Sequence, residues 1–465
     1  MEPNFFATFS LAAYPLVILA LFLAYRPPIA TALSLLIAEM FLPPFYSLPF
    51  SSPTWLDKWM IPPLATLLMA LIFGRSYMRR SRPFRGVEWF YVVMFFGAFM
   101  TVRTNRDILE RGPIQIQGET MGDFISEVIR SVVGVWGAFY LGRIMYKTER
   151  DLVALCRVAA ISAVVYTLPI LFEIRMSPQL QRWIYGFSAP HGFEQSVRLG
   201  GYRPSVFFGS GLTLTMFMLV CLILLVALAR AKKRVGIFPT KTLSVYVTAV
   251  LVLCKSTGAI IYAALVIPLL VFASARNLLR ISAVLTIFFV AYPLLRFADV
   301  IPTKQIGDSF VALSPDRAQS LSFRFEMEQG MLDLTRDRPW FGWGGYGRNF
   351  IYDQYTGKRI TVPDGMVILT LSMRGLIGFA AYFGPFVTSV LRASRLVRKI
   401  RDRSTRVLLS ALTLACAIML FDLIINATFP PIFMLLLGAL YGLPEGIIAE
   451  EEATAESNLA PAFEM

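Results

Sequence analysis

The chain has 465 residues, of which 56% are hydrophobic and only 16% charged, and its mean hydropathy is +0.62. Those proportions exclude an ordinary soluble domain, in which about a quarter of the residues are charged. The formal charge of +14 arises from 44 Lys and Arg against 30 Asp and Glu; the basic residues gather in short loops between apolar runs, so topology and anionic lipid account for them and no folded basic domain points to nucleic acid.

Apolar runs begin near Thr8, Ile29, Trp59, Trp89, Phe124, Leu152, Val206, Leu243, Ala259, Ile281, Met366, Val407 and Ile432. A bilayer core about 30 Å thick takes about 20 apolar residues per helix, so these runs predict about thirteen spans. Backbone in lipid must satisfy its own hydrogen bonds, which makes the expected fold class an all-α integral membrane protein of 12 to 14 transmembrane helices. Pro43 and Pro44 shorten the second run, and Lys255 splits the eighth from the ninth. No basic segment with a small-residue cleavage site precedes the first run, which therefore reads as a retained span.

Basic loops stay in the cytoplasm. Arg75, Arg79, Arg80, Arg82 and Arg85 form one such loop, Arg230 to Lys241 a second, and Arg392 to Arg406 the strongest. With the spans as counted, all three fall on one side, and the N-terminus falls on the other. The chain then divides into an N-terminal bundle of about ten spans (1–298), a large external insert (299–364) with short interfacial helices, C-terminal spans (365–446) and an acidic cytoplasmic tail (447–465).

Cys156, Cys221, Cys254 and Cys416 lie within or at the edge of apolar runs without C-x-x-C spacing, so neither a disulfide framework nor a zinc site is supported. With His191 the single histidine, a multi-histidine metal centre is excluded, and no metal or cofactor is expected. His191 itself reads as an incidental loop residue rather than a catalytic one.

Two external segments are rich in arginine where orientation does not require it. The loop from Arg175 to Arg203 carries Arg175, Arg182, Arg198 and Arg203 against Glu194 alone. The insert holds Arg317, Arg324, Arg336, Arg338 and Arg348 beside Trp340, Phe341, Trp343 and Tyr346. A guanidinium donates two parallel hydrogen bonds and keeps its charge near a low-dielectric surface, so it suits phosphate; a solvated loop or snorkelling to headgroups is the plainer role. LSFRFEMEQGMLDL is expected to form an interfacial helix with Phe325, Met331 and Leu332 on its apolar side and Arg324 paired with Glu328 at i,i+4. Pro339 ends that helix, and Gly342, Gly344, Gly345 and Gly347 permit a tight turn with close backbone approach. The aromatic rings there suit either a sugar surface or an interfacial belt.

The run from Ser322 to Phe350, an arginine on a helix followed by RPWFGWGGYG, resembles the O-antigen ligase and O-antigen polymerase superfamily of membrane glycosyltransferases. RPSVFFGSGLTLTMF from Arg203, CKSTGAII and DGMVILTLSMRGLIGF resemble three further stretches of that family. The resemblance in organisation covers most of the chain, and the motifs about a fifth of it. It implies a periplasmic reaction at the bacterial inner membrane, in which a glycan on undecaprenyl diphosphate is transferred to an acceptor hydroxyl without nucleotide sugar or obligatory metal. The partners implied are that donor, a glycan or lipid-linked acceptor, membrane lipids and a chain-length regulator. Arg203, Arg324 and Asp364 match the family's catalytic positions, with Arg198, Arg317, Arg338, Arg348, Lys255, Trp343 and Tyr346 as candidate diphosphate- or glycan-binding residues.

One departure stands out. Where the family commonly has a histidine, this chain has Pro363-Asp364-Gly365. Asp364 can serve as base if partial dehydration raises its proton affinity, or it can cap the following helix; the two roles are compatible. Lys255 has a similar pair of roles, phosphate ligand or turn residue. Glu39, Arg130, Arg157, Arg374 and Asp422 also fall inside spans, where ionisable groups are costly, and Asn426 lies i+4 from Asp422. The missing histidine favours a polymerase of O-antigen or exopolysaccharide over a ligase that transfers glycan to a lipid core. A transporter or flippase of lipid-linked sugars is the rival class, although no internal repeat is evident.

Overall fold

The protein is an all-α integral membrane protein, seen here in a computed structural model that describes residues 3–49, 56–79, 86–188, 193–198, 200–303, 305, 308, 315–361 and 364–459. Among the described residues eight helices are long and apolar enough to cross a bilayer, and five further apolar helices are shorter. In chain order they are α1 (Phe5–Ala24), α2 (Pro27–Phe41), α3 (Ile61–Phe73), α4 (Trp89–Thr104), α5 (Met121–Met145), α6 (Glu149–Met176), α7 (Gly211–Arg230), α8 (Thr240–Leu253), α9 (Thr257–Phe272) and α10 (Ala275–Phe297). The insert contributes α11 (Pro315–Asp337), and α12 (Met366–Leu396), α13 (Arg403–Asp422) and α14 (Pro431–Leu459) complete the bundle. Every apolar run anticipated in the sequence corresponds to one of these helices.

Local chemistry sets the boundaries. Thr120 with Asp123 and Thr148 with Asp151 form reciprocal capping boxes at α5 and α6, satisfying N–H groups that no carbonyl within the helix can reach. Prolines open α2 and α3, where a missing N–H costs nothing. Lys255, at φ 54, turns the chain between α8 and α9. α7 is buried along almost its whole length and forms the centre of the bundle. α14 packs along the second half of α5 so closely that a side-chain carbon at Gly438 would collide with the carbonyl of Phe139. Small residues at such a crossing let backbones approach where lipid supplies no hydrophobic force between helices.

Ion pairs identify one basic end of the bundle. Arg26 meets Asp151 at 2.9 Å, Lys233 meets Glu149 at 3.2 Å and Arg392 meets Glu445 at 2.6 Å. Gly74, which precedes the helical turn Arg75–Arg79, abuts Met145 at the same end. Asn4 N–H donates to the carbonyl of Tyr185 at the opposite end, where the Tyr185 ring meets Phe207 in the loop after Arg203. Arg80, Arg82 and Arg85 lie outside the described residues.

The insert differs from expectation in two ways. Its helix is longer, 23 residues from Pro315 to Asp337, and the glycine-rich turn after it approaches the protein itself. α12 is broken at Gly375, where φ is 65° and ψ is −172°, a conformation that only glycine adopts at low cost. The break frees backbone groups, and the turn satisfies them. Leu376 N–H donates to the Pro339 carbonyl at 2.8 Å, Trp343 N–H to Ser372 at 2.9 Å and Gly344 N–H to Met373 at 2.9 Å. Non-helical backbone within a membrane bundle is tolerated in this way, when protein covers it. The acidic segment after Glu445 continues α14, and Glu451 accepts the N–H groups of Arg401 and Asp402.

Candidate functional site

Arg324 and Asp364 meet. Arg324 Nε lies 2.9 Å from Asp364 Oδ2, with the two side chains 36% and 43% exposed. A pair this open contributes about 0–1 kcal/mol, so little holds the two side chains together. The sequence suggested that Arg324 pairs with Glu328 and that Asp364 caps α12; both are corrected. α12 is capped by Gly365 with no side-chain bond, and the N–H groups of Met366 and Val367 donate to the carbonyls of Asn426 and Leu423. Asp364 is therefore not used as a helix cap.

Glu328 is held by α10 instead. The Tyr292 hydroxyl donates to its carboxylate at 2.7 Å, and Arg296 Nε approaches it at 3.6 Å. Arg296 is buried, donates to the Phe325 carbonyl and lies over the Phe325 ring. Met331 and Leu332 are fully buried, as the apolar side of α11 predicts. This clamp orients the helical turn that carries Arg324. Burial raises the proton affinity of Glu328 above that of an ordinary glutamate, with the Tyr292 bond and the charge of Arg296 opposing.

A second cationic group lies at the same end. The hairpin of β1 (Val197–Arg198) and β2 (Gly201–Tyr202) carries Arg198 and leads into Arg203, whose N–H donates to the Ser196 carbonyl. A side-chain carbon at Gly211 would come within 2.9 Å of the Arg203 side chain, which therefore lies against the N-terminus of α7. Lys255 Nζ reaches across the α8–α9 turn to Gly201. Burial first, then the charge of Arg198, lowers the proton affinity of Arg203; a guanidinium with that starting value remains charged. The loop is pinned by Glu173, which accepts the N–H groups of Leu180, Ser205 and Val206.

Arg203 and Arg324 are linked through intermediates rather than by contact. Tyr262, five residues beyond Thr257 and thus about 8 Å along α9, bonds Asp422, which accepts from Asn426 at 2.9 Å. Asn426 in turn holds the start of α12 beside Asp364. A cavity of about 400 Å³ at this end is lined by Ser210 and Thr213 of the α7 entry and by Ala427 and Thr428, with neither Arg203 nor Arg324 in its lining. Lys58 and Glu39 also line it. Lys58 Nζ is 3.4 Å from the Glu39 carboxylate and donates to the Glu39 and Phe207 carbonyls at 2.7 Å.

The remaining sequence candidates are placed elsewhere. Arg338 spans Asp107 and also donates to the Thr104 carbonyl and Asn105, with its guanidinium 4.2 Å from the Trp343 ring. Arg348 is fully buried and donates to the carbonyls of Asp107 and Gln117 and to the Asp107 carboxylate. Both fix the insert to the loop after α4 through their terminal guanidinium nitrogens. Trp343 is buried, its N–H given to the Leu334 carbonyl, whereas Tyr346 is 71% exposed above a separate cavity containing Glu119, Glu127, Arg130 and Arg374. The side chain of Arg317, His191 and Pro363 lie outside the described residues. Glu173, Lys58, Tyr292 and Arg296 were not singled out in the sequence, because each acts through a contact between distant elements. Among the described residues no group of His, Cys, Asp and Glu is arranged to hold a metal ion.

No protein-family model and no curated protein matches this chain.

Proposed function

We propose that the protein is a membrane glycosyltransferase that moves a glycan from an undecaprenyl-diphosphate donor to an acceptor hydroxyl, extending O-antigen or exopolysaccharide, with its active site on the periplasmic face of the bacterial inner membrane. The observation that carries this reading is the exchangeable Arg324–Asp364 pair at the end of the bundle that also gathers Arg198, Arg203 and Lys255. The basic end faces the cytoplasm by the positive-inside rule, which puts that pair outside.

Donor diphosphate displaces Asp364 from Arg324, since a diphosphate offers more charge and, like a carboxylate, a pair of oxygens that accept bidentate bonds. The carboxylate so released accepts the proton of the acceptor hydroxyl as its oxygen bonds to the anomeric carbon. The bond from that carbon to the diphosphate breaks, and the electron pair leaves with the phosphate oxygen. Arg324 and Arg203 stabilise the charge that develops there, an effect on the scale of ~10²- to 10³-fold in rate for one such donor. No nucleotide or metal is needed, because the diphosphate is already a good leaving group. A polymerase and a ligase share these steps and differ only in the acceptor.

Purified protein in detergent, given two lipid-linked glycans, is expected to lengthen one at the expense of the other. Arg324→Ala and Arg203→Ala should each lose this transfer by ~10²-fold or more while remaining inserted and folded. Activity that requires a sealed membrane would instead identify a transporter.

A further inference from the structure

At the basic end, six arginines converge on one concavity of about 500 Å³: Arg230, Arg276, Arg280, Arg398, Arg403 and Arg406. They come from the end of α7, the start of α10, the turn after α12 and the start of α13. The positive-inside rule requires only that such residues lie in loops on one side; it does not require separate loops to point into the same hollow. Among the described residues no carboxylate lines it. Asp402, the acid next to Arg403 in sequence, caps α13 by accepting the Thr405 N–H at 2.6 Å and faces Lys233.

Like charges in one hollow repel, and the charges of Arg230 and Arg403 act on one another. Two helices add to the positive potential, because the first turn of α10, capped by Ser274, and the first residue of α13 line the same space. Arg230 is further fixed by donating to the Leu270 carbonyl at 2.5 Å. A hollow with this composition attracts an anion with several charges, and its donors have the fork geometry of phosphate ligands.

We propose that this hollow is a binding site for a phosphate-bearing anion with at least two negative charges, supplied by the headgroup of anionic phospholipid in the leaflet at the basic end. It lies at the far end of the bundle from Arg203 and Arg324 and does not depend on the transfer reaction.

The test titrates delipidated full-length protein with phosphatidylcholine, phosphatidylglycerol or cardiolipin, and separately with inorganic phosphate and diphosphate, following thermal unfolding. Cardiolipin should stabilise saturably and phosphatidylcholine should not. Each guanidinium near an anionic headgroup strengthens binding by about fivefold, so Arg276→Gln/Arg280→Gln/Arg403→Gln should weaken it about a hundredfold. Arg395→Gln/Lys399→Gln/Arg401→Gln removes equal charge at the same end outside the hollow and should leave it nearly unchanged. Should the first variant not fold, Arg280→Gln alone carries the test with about a fivefold effect. Equal response to inorganic diphosphate supports the site and assigns it to a soluble phosphate compound. Absence of any phosphate-dependent stabilisation, or equal loss in the two triple variants, overturns the proposal.

Discussion

Arg348→Met separates an anchoring role from a substrate-binding one. The side chain is fully buried, makes two bonds to carbonyls at 2.8 and 2.9 Å and one to the Asp107 carboxylate at 3.1 Å. Breaking a buried pair ordinarily costs about 3–5 kcal/mol, because a charge is left stranded. Asp107 is 44% exposed and retains Arg338, so its charge is not stranded and the lower end of that range applies, about 3 kcal/mol. For a chain of this size that corresponds to a fall in Tm of about 3 °C. Thermal unfolding in detergent measures it, alongside donor KM below the transition. Arg324→Met should show the opposite pattern, with little change in Tm and a large loss of transfer. Unchanged stability of Arg348→Met, together with a tenfold or greater rise in donor KM, would refute the anchoring assignment.

Gly375→Ala should abolish folding, since alanine disfavours that backbone region and its Cβ would collide with the backbone of Trp340 and Phe341. Gly258→Ala, where nothing lies within 4 Å, is the control and should extract from the membrane at wild-type yield. Glu328 has its folded proton affinity raised by burial, so its contribution to stability is present below the ordinary glutamate value of about 4.3 and is lost as pH rises through the higher folded value. Glu328→Gln keeps an acceptor for Tyr292 and should flatten that part of the stability–pH curve; identical slopes in wild type and variant would contradict the assignment.

The bundle was legible because its signal is local. Runs such as Leu212 to Ala229 are apolar all round, and lipid permits no backbone arrangement other than a helix for them. Proline pairs and Lys255 marked the short helices for the same reason. The site was legible only in part. Arg324 and Asp364 were named from sequence and are in contact, yet their partners were misassigned, because i,i+4 spacing favours Glu328 until α10 supplies Tyr292 and Arg296. Arg338 and Arg348 show the limit most plainly. Their composition matched a phosphate loop, but what they bind is decided by Asp107, more than 200 residues away in sequence. Gly342 and Gly344 were read correctly as positions of close approach, although what approaches them is α12 and Glu119.

The central claim is that Arg203 and Arg324 hold one diphosphate between them. Calorimetric binding of undecaprenyl diphosphate to wild type, Arg203→Ala, Arg324→Ala and the double variant tests it most directly. The account predicts one site per chain, weakened at least tenfold by either single substitution and absent in the double. Two independent sites, each sensitive to one arginine, or affinity that neither substitution alters, would contradict it.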